Sequence, residues 1–72
     1  MKQQEQLKNN FKSLRVRAGL NQEQVANELH IARSSFVDYE NNPNNIKLSL
    51  LLKLVMLYGC KFNDFFIGIR ES

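Results

Sequence analysis

The sequence predicts a small all-α domain of five helices, and three observations lead to this fold class. Apolar residues recur at the three- and four-residue spacing of helices, and no run alternates apolar and polar residues as a strand does. Helix-stopping signals follow predicted helices at Gly19, at Gly59 and in the asparagine-rich run 41–45. Seventy-two residues supply one modest core, which needs close helix packing or a partner for stability.

Composition narrows the class of protein without deciding it. The formal net charge is +3 and the isoelectric point is near 9.3, a mildly basic balance that suits nucleic-acid-binding proteins among others. A single cysteine excludes an internal disulfide, and the amino terminus does not resemble a signal peptide. We therefore expect a reducing, cytoplasmic setting.

The first helix is predicted from about Leu7 to Ala18. Its apolar face repeats at helical spacing and is formed by Leu7, Phe11, Leu14 and Ala18. Gly19 follows at the position where a glycine commonly stops a helix. We expect residues 1–6 to be a flexible polar lead that frays or extends this helix.

The second and third helices form a tight pair within residues 20–40. Asn21 is a good N-cap with Gln24 three residues later, which predicts a capping box at the start of the second helix. Residues 30–32 interrupt the helical rhythm, which places the turn there. In the third helix we expect Phe36 to face the core.

The fourth helix is predicted from about Leu48 to Tyr58 and is apolar nearly all round. Such a helix is normally buried on more than one side, and it is too short to cross a bilayer. The residues expected to face its own core are Leu48, Leu51, Leu54, Val55 and Tyr58. Three phenylalanines within residues 62–66 predict a short fifth helix that ends near Ile67, followed by a loose tail at 68–72.

No catalytic or metal-binding group is evident in the sequence. His30 and Cys60 are the single histidine and cysteine, so one chain cannot assemble a His/Cys metal cluster. A Cys–His nucleophile pair is formally open, but both residues fall at turns between helices, where packing explains them. The carboxylates are scattered and no glycine-rich phosphate loop is present. The sequence therefore predicts a protein that is not an enzyme and uses no cofactor or metal.

Residues 7–66 resemble the helix-turn-helix domain of the Cro/CI-type phage repressors, the XRE-like group of bacterial regulators. The residues at the family's spacing are Leu20, Asn21, Gln22, Ala26, Leu29, Ile31, Ser34, Tyr39 and Glu40, then Leu51–Leu54, Tyr58 and Gly59. The resemblance implies a compact lambda-repressor-like fold for residues 7–67, with the helix-turn-helix formed by helices two and three.

The outward face of the third helix suits the reading of base pairs. A helix in the major groove needs small or polar residues at its outward start, so that its backbone approaches the base edges. The predicted base-reading residues are Arg33, Ser34, Ser35, Val37 and Asp38. Arg33 has the paired donors that match O6 and N7 of guanine, and Asp38 has an acceptor for N4 of cytosine. The alternative interpretation is an ordinary solvated helix face.

The resemblance also implies phosphate contacts where the second helix opens and after the third helix ends. The predicted phosphate-binding residues are Arg17, Gln22, Asn41, Asn42, Asn44 and Lys47, and for each of them ordinary solvation is the alternative. The family commonly pairs an arginine of the first helix with a glutamate at the end of the third. This implies that Arg15 and Glu40 form a structural pair.

Departures from the family's pattern predict local strain. His30 replaces the usual glycine of the turn, so we expect a left-handed backbone at a residue that adopts it at some cost. Three helix starts are expected to lack a side-chain acceptor, because Ser or Thr is replaced there by Ala32, Lys47 and Lys61.

The resemblance implies a sequence-specific regulator of transcription that binds double-stranded DNA, as a homodimeric repressor or controller on a palindromic operator. The alternative is a protein-interaction module or antitoxin-type partner on the same fold, and a toxin or RNA polymerase partner stays open. No membrane partner is expected. Apolar residues without an evident partner in the chain predict a dimer interface formed by Leu50, Met56, Leu57, Phe66, Ile67 and Ile69. The alternative is a slightly rotated fourth helix, with Leu50 and Leu57 reaching the core and the chain staying monomeric.

Overall fold

Residues 2–69, which the computed structural model describes, form four α-helices and two short 3₁₀ turns, with no strand among them. The helices are α1 (Lys2–Arg17), α2 (Gln22–Leu29), α3 (Arg33–Asn41) and α4 (Leu48–Tyr58). The 3₁₀ turns are Pro43–Asn45 and Phe62–Phe66. The predicted all-α class is confirmed for these residues. Met1 of the predicted lead and residues 70–72 of the predicted tail lie outside the described residues.

The prediction of five α-helices is wrong in its last element, because Phe62–Phe66 is a 3₁₀ turn. Segments this short make few intrahelical bonds and commonly tighten to the i to i+3 pattern. Asp64 stabilises the start of the turn, since its Oδ2 accepts a hydrogen bond of 2.9 Å from the Lys61 N–H. The Lys61 ammonium offers no acceptor in return, so only half of a capping box forms.

Helix α1 begins at Lys2 and not near Leu7, so the polar lead extends the helix in residues 2–6. The side chain of Asn10 ties this helix to the end of the described chain. Its Nδ2 donates to the carbonyl oxygens of Phe65 at 3.1 Å and Ile67 at 2.7 Å, and its Oδ1 accepts from Gln6 at 2.8 Å. These bonds hold the second 3₁₀ turn against α1.

A single apolar core lies between α1, α2, α3, α4 and the second 3₁₀ turn. Its buried residues are Phe11, Leu14, Val25, Ala26, Leu29, Phe36, Leu51, Leu54 and Phe65. Phe65 is central, because its ring lies 4.6 Å from that of Phe11 and 6.2 Å from that of Tyr58, measured between centroids. The predicted inward position of Phe36 is confirmed by its burial.

The rotation of α4 differs from the prediction. Leu51 and Leu54 face the core as expected, but Leu48 is 61% exposed. Leu50 and Leu57, predicted to lack an intrachain partner, are half-buried and pack against the core. A helix that is apolar nearly all round carries too little pattern to fix which side is buried. Among the described helices, none is both long and apolar enough to span a membrane.

Candidate nucleic-acid interface

The candidate interface begins with the fixed start of α2. The Asn21 Oδ1 accepts from the Gln24 N–H, and the Gln24 Oε1 accepts from the Asn21 N–H, both at 2.8 Å. The predicted capping box is therefore complete. It defines where the chain enters α2, and with it the position of Gln22, the first residue of the helix.

The turn between α2 and α3 depends on a left-handed residue. His30 has φ 58° and ψ 41°, as expected at the position where the family has glycine. This backbone allows the Ile31 N–H to reach the carbonyl oxygen of Ala26 at 3.0 Å. The chain then enters α3 through Ala32, which is extended and provides no side-chain cap. The first N–H groups of α3 consequently lack a side-chain acceptor, as expected.

Helix α3 has one buried side and one exposed polar side. Phe36 and Glu40, four residues apart, are buried. Of the five residues predicted to read bases, Arg33, Ser34, Ser35 and Asp38 are exposed, and Val37 is half-buried. The face that α3 presents to solvent is therefore built of short polar side chains, with one arginine at its amino end.

The orientation of α3 is fixed by a hydrogen-bond network around the carboxylate of Glu40. Arg15 Nε donates to Glu40 Oε2 at 2.8 Å, forming the salt bridge that the resemblance implied. Gln22 Nε2 donates to Glu40 Oε1 at 3.0 Å, and Arg15 Nη1 donates to the Leu20 carbonyl oxygen at 2.8 Å. One buried carboxylate thus joins α1, α2 and α3.

An exposed asparagine-rich loop begins at the last residue of α3, Asn41. Asn41, Asn42 and Asn44 are exposed, whereas Pro43 between them is buried and anchors the loop. Asn42 Nδ2 lies 3.5 Å from Asp38 Oδ1, a long contact that leaves both groups available to other partners. Lys47, at the start of α4, is exposed and makes no side-chain cap.

The remaining predicted phosphate-binding residue, Arg17, lies in a different environment. It lines a groove together with Cys60 and Asp64, beside the second 3₁₀ turn. Arg15 and Arg17 are two residues apart in α1 and therefore project to opposite sides of the helix. Because Arg15 faces Glu40, Arg17 points away from the end of α3.

The six residues predicted to form a dimer interface differ widely in exposure. Met56 and Ile67 are 83% and 59% exposed. The other four, Leu50, Leu57, Phe66 and Ile69, are half-buried. Met56 lies on α4, whereas Ile67 follows the 3₁₀ turn that is bonded to α1. The two most exposed residues of the predicted dimer interface therefore lie on different elements of the fold.

The environment of Tyr58 could not be predicted from the sequence. Its hydroxyl oxygen is buried and has no hydrogen-bond partner among the described residues. Burial raises the pKa of this hydroxyl, the charge of Glu40 raises it further, and the charge of Arg15 partly opposes the increase. Tyr58 therefore lies in the electric field of the Arg15–Glu40 pair. A tyrosine near the end of an apolar helix carries no sequence signal for such a neighbour.

Metal-ligating groups and the single cysteine were compared with the expectations from the sequence within residues 2–69. No group of three His, Cys, Asp or Glu side chains is arranged there to hold a metal ion. Burial raises the pKa of the Cys60 thiol, and the charge of Asp64 adds to the increase. Both effects disfavour the reactive thiolate at neutral pH.

Comparisons with known proteins agree with this geometry. A sequence model of a family described as helix-turn-helix matches residues 11–65. The cryptic phage CTXphi transcriptional repressor RstR of Vibrio cholerae is 37% identical over 49 residues, which cover 68% of this chain and 44% of that protein. This chain thus spans less than half the length of the curated relative that it matches. The search of solved structures gave no significant match.

Proposed function

Because this chain belongs to the Cro/CI-type, XRE-like helix-turn-helix family, we propose that it is a transcriptional regulator that binds duplex DNA sequence-specifically through α3. The observation that carries this proposal is the Glu40 network. This network fixes the orientation of α3, whose solvent-exposed face carries mostly short polar side chains. A helix held in this way can enter the major groove as one rigid unit.

In this proposal, base pairs are read from the exposed start of α3. Arg33 has the planar fork that pairs with O6 and N7 of one guanine. Ser34 and Ser35 are small enough for the backbone to approach the base edges. Asp38 lies about one helical turn beyond Ser34 on the same side and accepts from cytosine N4.

Phosphate contacts on either side of α3 would set the register. Gln22 donates one amide hydrogen to Glu40, and its position at the start of α2 favours an anion through the helix dipole. The exposed side chains of Asn41, at the end of α3, and of Asn42 and Asn44 beyond it provide neutral donors, and Lys47 adds a positive charge. Contacts of this kind orient a protein on DNA and make its binding salt-dependent.

One copy of a domain this small makes few base contacts, so we propose that two copies act on a palindromic operator. Two recognition helices then lie one DNA turn apart, ~34 Å, in successive major grooves. Because the relative in Vibrio cholerae is described as a repressor, we propose repression as the outcome, in the cytoplasm and without a cofactor.

Selection of binding sites from random duplex DNA tests this proposal. We expect enrichment of a palindrome whose half-sites contain guanine, and an affinity that falls steeply with salt. Wild-type protein that enriches no sequence and has no measurable affinity for duplex DNA at low salt would contradict it. That result would favour the protein-interaction alternative.

A further inference from the structure

A groove runs beside α1, between the end of this helix, the end of α4 and the second 3₁₀ turn. It consists of two adjoining cavities of about 260 and 220 Å³, which share Leu14, Arg17 and Asp64 as lining residues. Small-molecule sites usually enclose about 300–1,000 Å³. Neither cavity reaches that size alone, but together they do, so the α1 groove has room for a small organic molecule.

Arg17 and Asp64 bring opposite charges to the α1 groove. Both residues line both cavities, so they lie where the cavities join. The only salt bridge in the part of the chain that the structure describes is Arg15–Glu40, so Arg17 and Asp64 are not paired by direct contact. One carboxylate oxygen of Asp64 accepts from the Lys61 N–H, which leaves the other for a new donor. The α1 groove therefore offers one charge of each sign to a bound molecule.

Cys60 adds a neutral group beside these charges. Burial raises the pKa of its thiol, the charge of Asp64 raises it further, and the charge of Arg17 partly opposes the increase. The thiol thus lies within the influence of both charged groups. Because it keeps its proton at neutral pH, Cys60 acts as a weakly polar wall of the groove and not as a third charge.

Apolar surface borders the charges at the end of the groove near α4. Leu14 is buried where it lines this cavity, and Ala18 is exposed at its edge. Gly59 lines the same cavity, and no atom of a more distant residue lies within 4 Å of the position that a Cβ would take there. The open space beside Gly59 can therefore hold a short apolar chain.

We propose that the α1 groove binds a free α-amino acid with an apolar side chain. The carboxylate of the ligand pairs with the fork of Arg17, its ammonium group with the free oxygen of Asp64, and its side chain lies against Leu14 and Ala18. A simple anion would be repelled by Asp64 and a simple cation by Arg17. A zwitterion instead meets an opposite charge at each of its two charged groups.

Occupancy of the α1 groove would reach α3 through Tyr58. This residue lines the groove, and its hydroxyl lies in the electric field of the Arg15–Glu40 pair that orients α3. A ligand that shifts Tyr58 should therefore change the affinity for DNA, and DNA should change the affinity for the ligand by the same factor. This consequence rests on the proposed function, whereas the amino-acid site does not.

Titration of the isotope-labelled whole chain with L-leucine, followed by NMR, tests the site without DNA. We expect saturable shifts in the millimolar range, concentrated at residues that line the α1 groove. Isocaproic acid, which is leucine without its amino group, and isoamylamine, which is leucine without its carboxylate, should each bind at least tenfold more weakly. The absence of saturable shifts with L-leucine, or equal binding of either analogue, would overturn the proposal.

Two variants test the roles of the charged residues. Arg17→Gln and Asp64→Asn should each weaken L-leucine binding at least tenfold, because each removes one charged partner of the ligand. Asp64→Asn keeps an oxygen acceptor for the Lys61 N–H, so the second 3₁₀ turn should still form. Lys12→Gln is the matched control, because Lys12 is exposed on α1 and lines neither cavity. Equal weakening in all three variants, or wild-type binding in Arg17→Gln, would exclude the proposed contacts.

Ala18→Phe separates failure of this inference from failure of the proposed function. Its ring should fill the apolar end of the α1 groove and abolish L-leucine binding, and circular dichroism should show a folded variant because position 18 is exposed. Saturating L-leucine should change the operator affinity of the wild type and not that of Ala18→Phe. If the wild type binds L-leucine but no duplex, the proposed function fails and the amino-acid site stands. Wild-type protein that binds the operator but not L-leucine overturns the inference and leaves the proposed function intact.

Discussion

Arg15 and Glu40 form a buried salt bridge of 2.8 Å that joins the last turn of α1 to the end of α3, the proposed recognition helix. The second oxygen of the same carboxylate accepts from Gln22, where α2 begins. One side chain therefore sets the angle between three helices. We infer that the presentation of α3 to DNA depends on this carboxylate as much as on the apolar core.

Removal of one partner should be severely destabilising. Glu40→Ala leaves the Arg15 guanidinium buried and unpaired, for which we expect a loss of roughly 3–5 kcal/mol in the free energy of unfolding. Total stabilities of small domains are of the same order, so the variant should be largely unfolded. Urea denaturation followed by circular dichroism measures the loss. The double variant Arg15→Met, Glu40→Leu is the control and should be less destabilised, and a loss below about 1 kcal/mol in Glu40→Ala would contradict a role in orienting α3.

The buried hydroxyl of Tyr58 predicts how stability varies at high pH. The pKa of this group is raised above its ordinary 10.0, first by burial and then by the charge of Glu40. The unfolded chain therefore releases the proton before the folded chain does. The contribution of this pKa difference to the free energy of unfolding is therefore fully present below pH 10. It is lost as the pH rises above that value.

Tyr58→Phe should flatten this alkaline loss, and it should be neutral or stabilising at neutral pH because the hydroxyl has no partner among the described residues. Denaturation of the wild type and the variant at about pH 8 and about pH 11 gives the comparison. Tyr39→Phe on α3 serves as the control. Parallel loss of stability in the wild type and Tyr58→Phe would show that another group causes the alkaline effect.

The left-handed backbone of His30 predicts a stabilising substitution. Glycine adopts φ 58° without the steric cost of a side chain, so His30→Gly should gain about 1 kcal/mol in the free energy of unfolding. A β-branched residue is the worst choice there, and His30→Val should lose more than that amount. Thermal denaturation of both variants decides the sign. If His30→Gly melts lower than the wild type, the imidazole makes a stabilising contact.

The last residue of α3, Asn41, predicts a variant that separates DNA binding from folding. Asn41 is exposed and makes no side-chain hydrogen bond to the rest of the described chain. Asn41→Ala should keep the wild-type melting temperature within a degree or two, weaken binding uniformly across DNA sequences and leave base preference intact. If Asn41→Ala lowers the melting temperature and leaves DNA affinity unchanged, Asn41 stabilises the fold and does not contact phosphate.

Features that depend on neighbouring residues could be predicted from the sequence. The Asn21–Gln24 capping box and the left-handed Gly59 after α4 need only a few consecutive residues to form. The Arg15–Glu40 contact spans 25 residues, and it was inferred from the family's pattern rather than from local chemistry.

Features that depend on packing could not be predicted. Ser49 and Lys53 are the only polar residues on α4, and they do not determine whether Leu48 or Leu50 turns inward. The hydrogen bond from Asn10 to Ile67 joins residues 57 positions apart, with no periodic signal to reveal it. The exposure of Leu48, Leu52 and Met56 depends on the rotation of α4, which the packing of the core determines.

The base-pair preference of Arg33→Ala tests most directly the central claim that α3 reads DNA sequence. Affinities of the wild type and the variant are measured for a selected operator and for each of its single-base-pair changes, at one salt concentration. We expect Arg33→Ala to lose about 1–3 kcal/mol on the operator and to lose discrimination at one guanine–cytosine pair in each half-site, while preference elsewhere is retained. Equal weakening on every duplex, or an unchanged profile, would contradict base reading by Arg33 and with it the proposed orientation of α3.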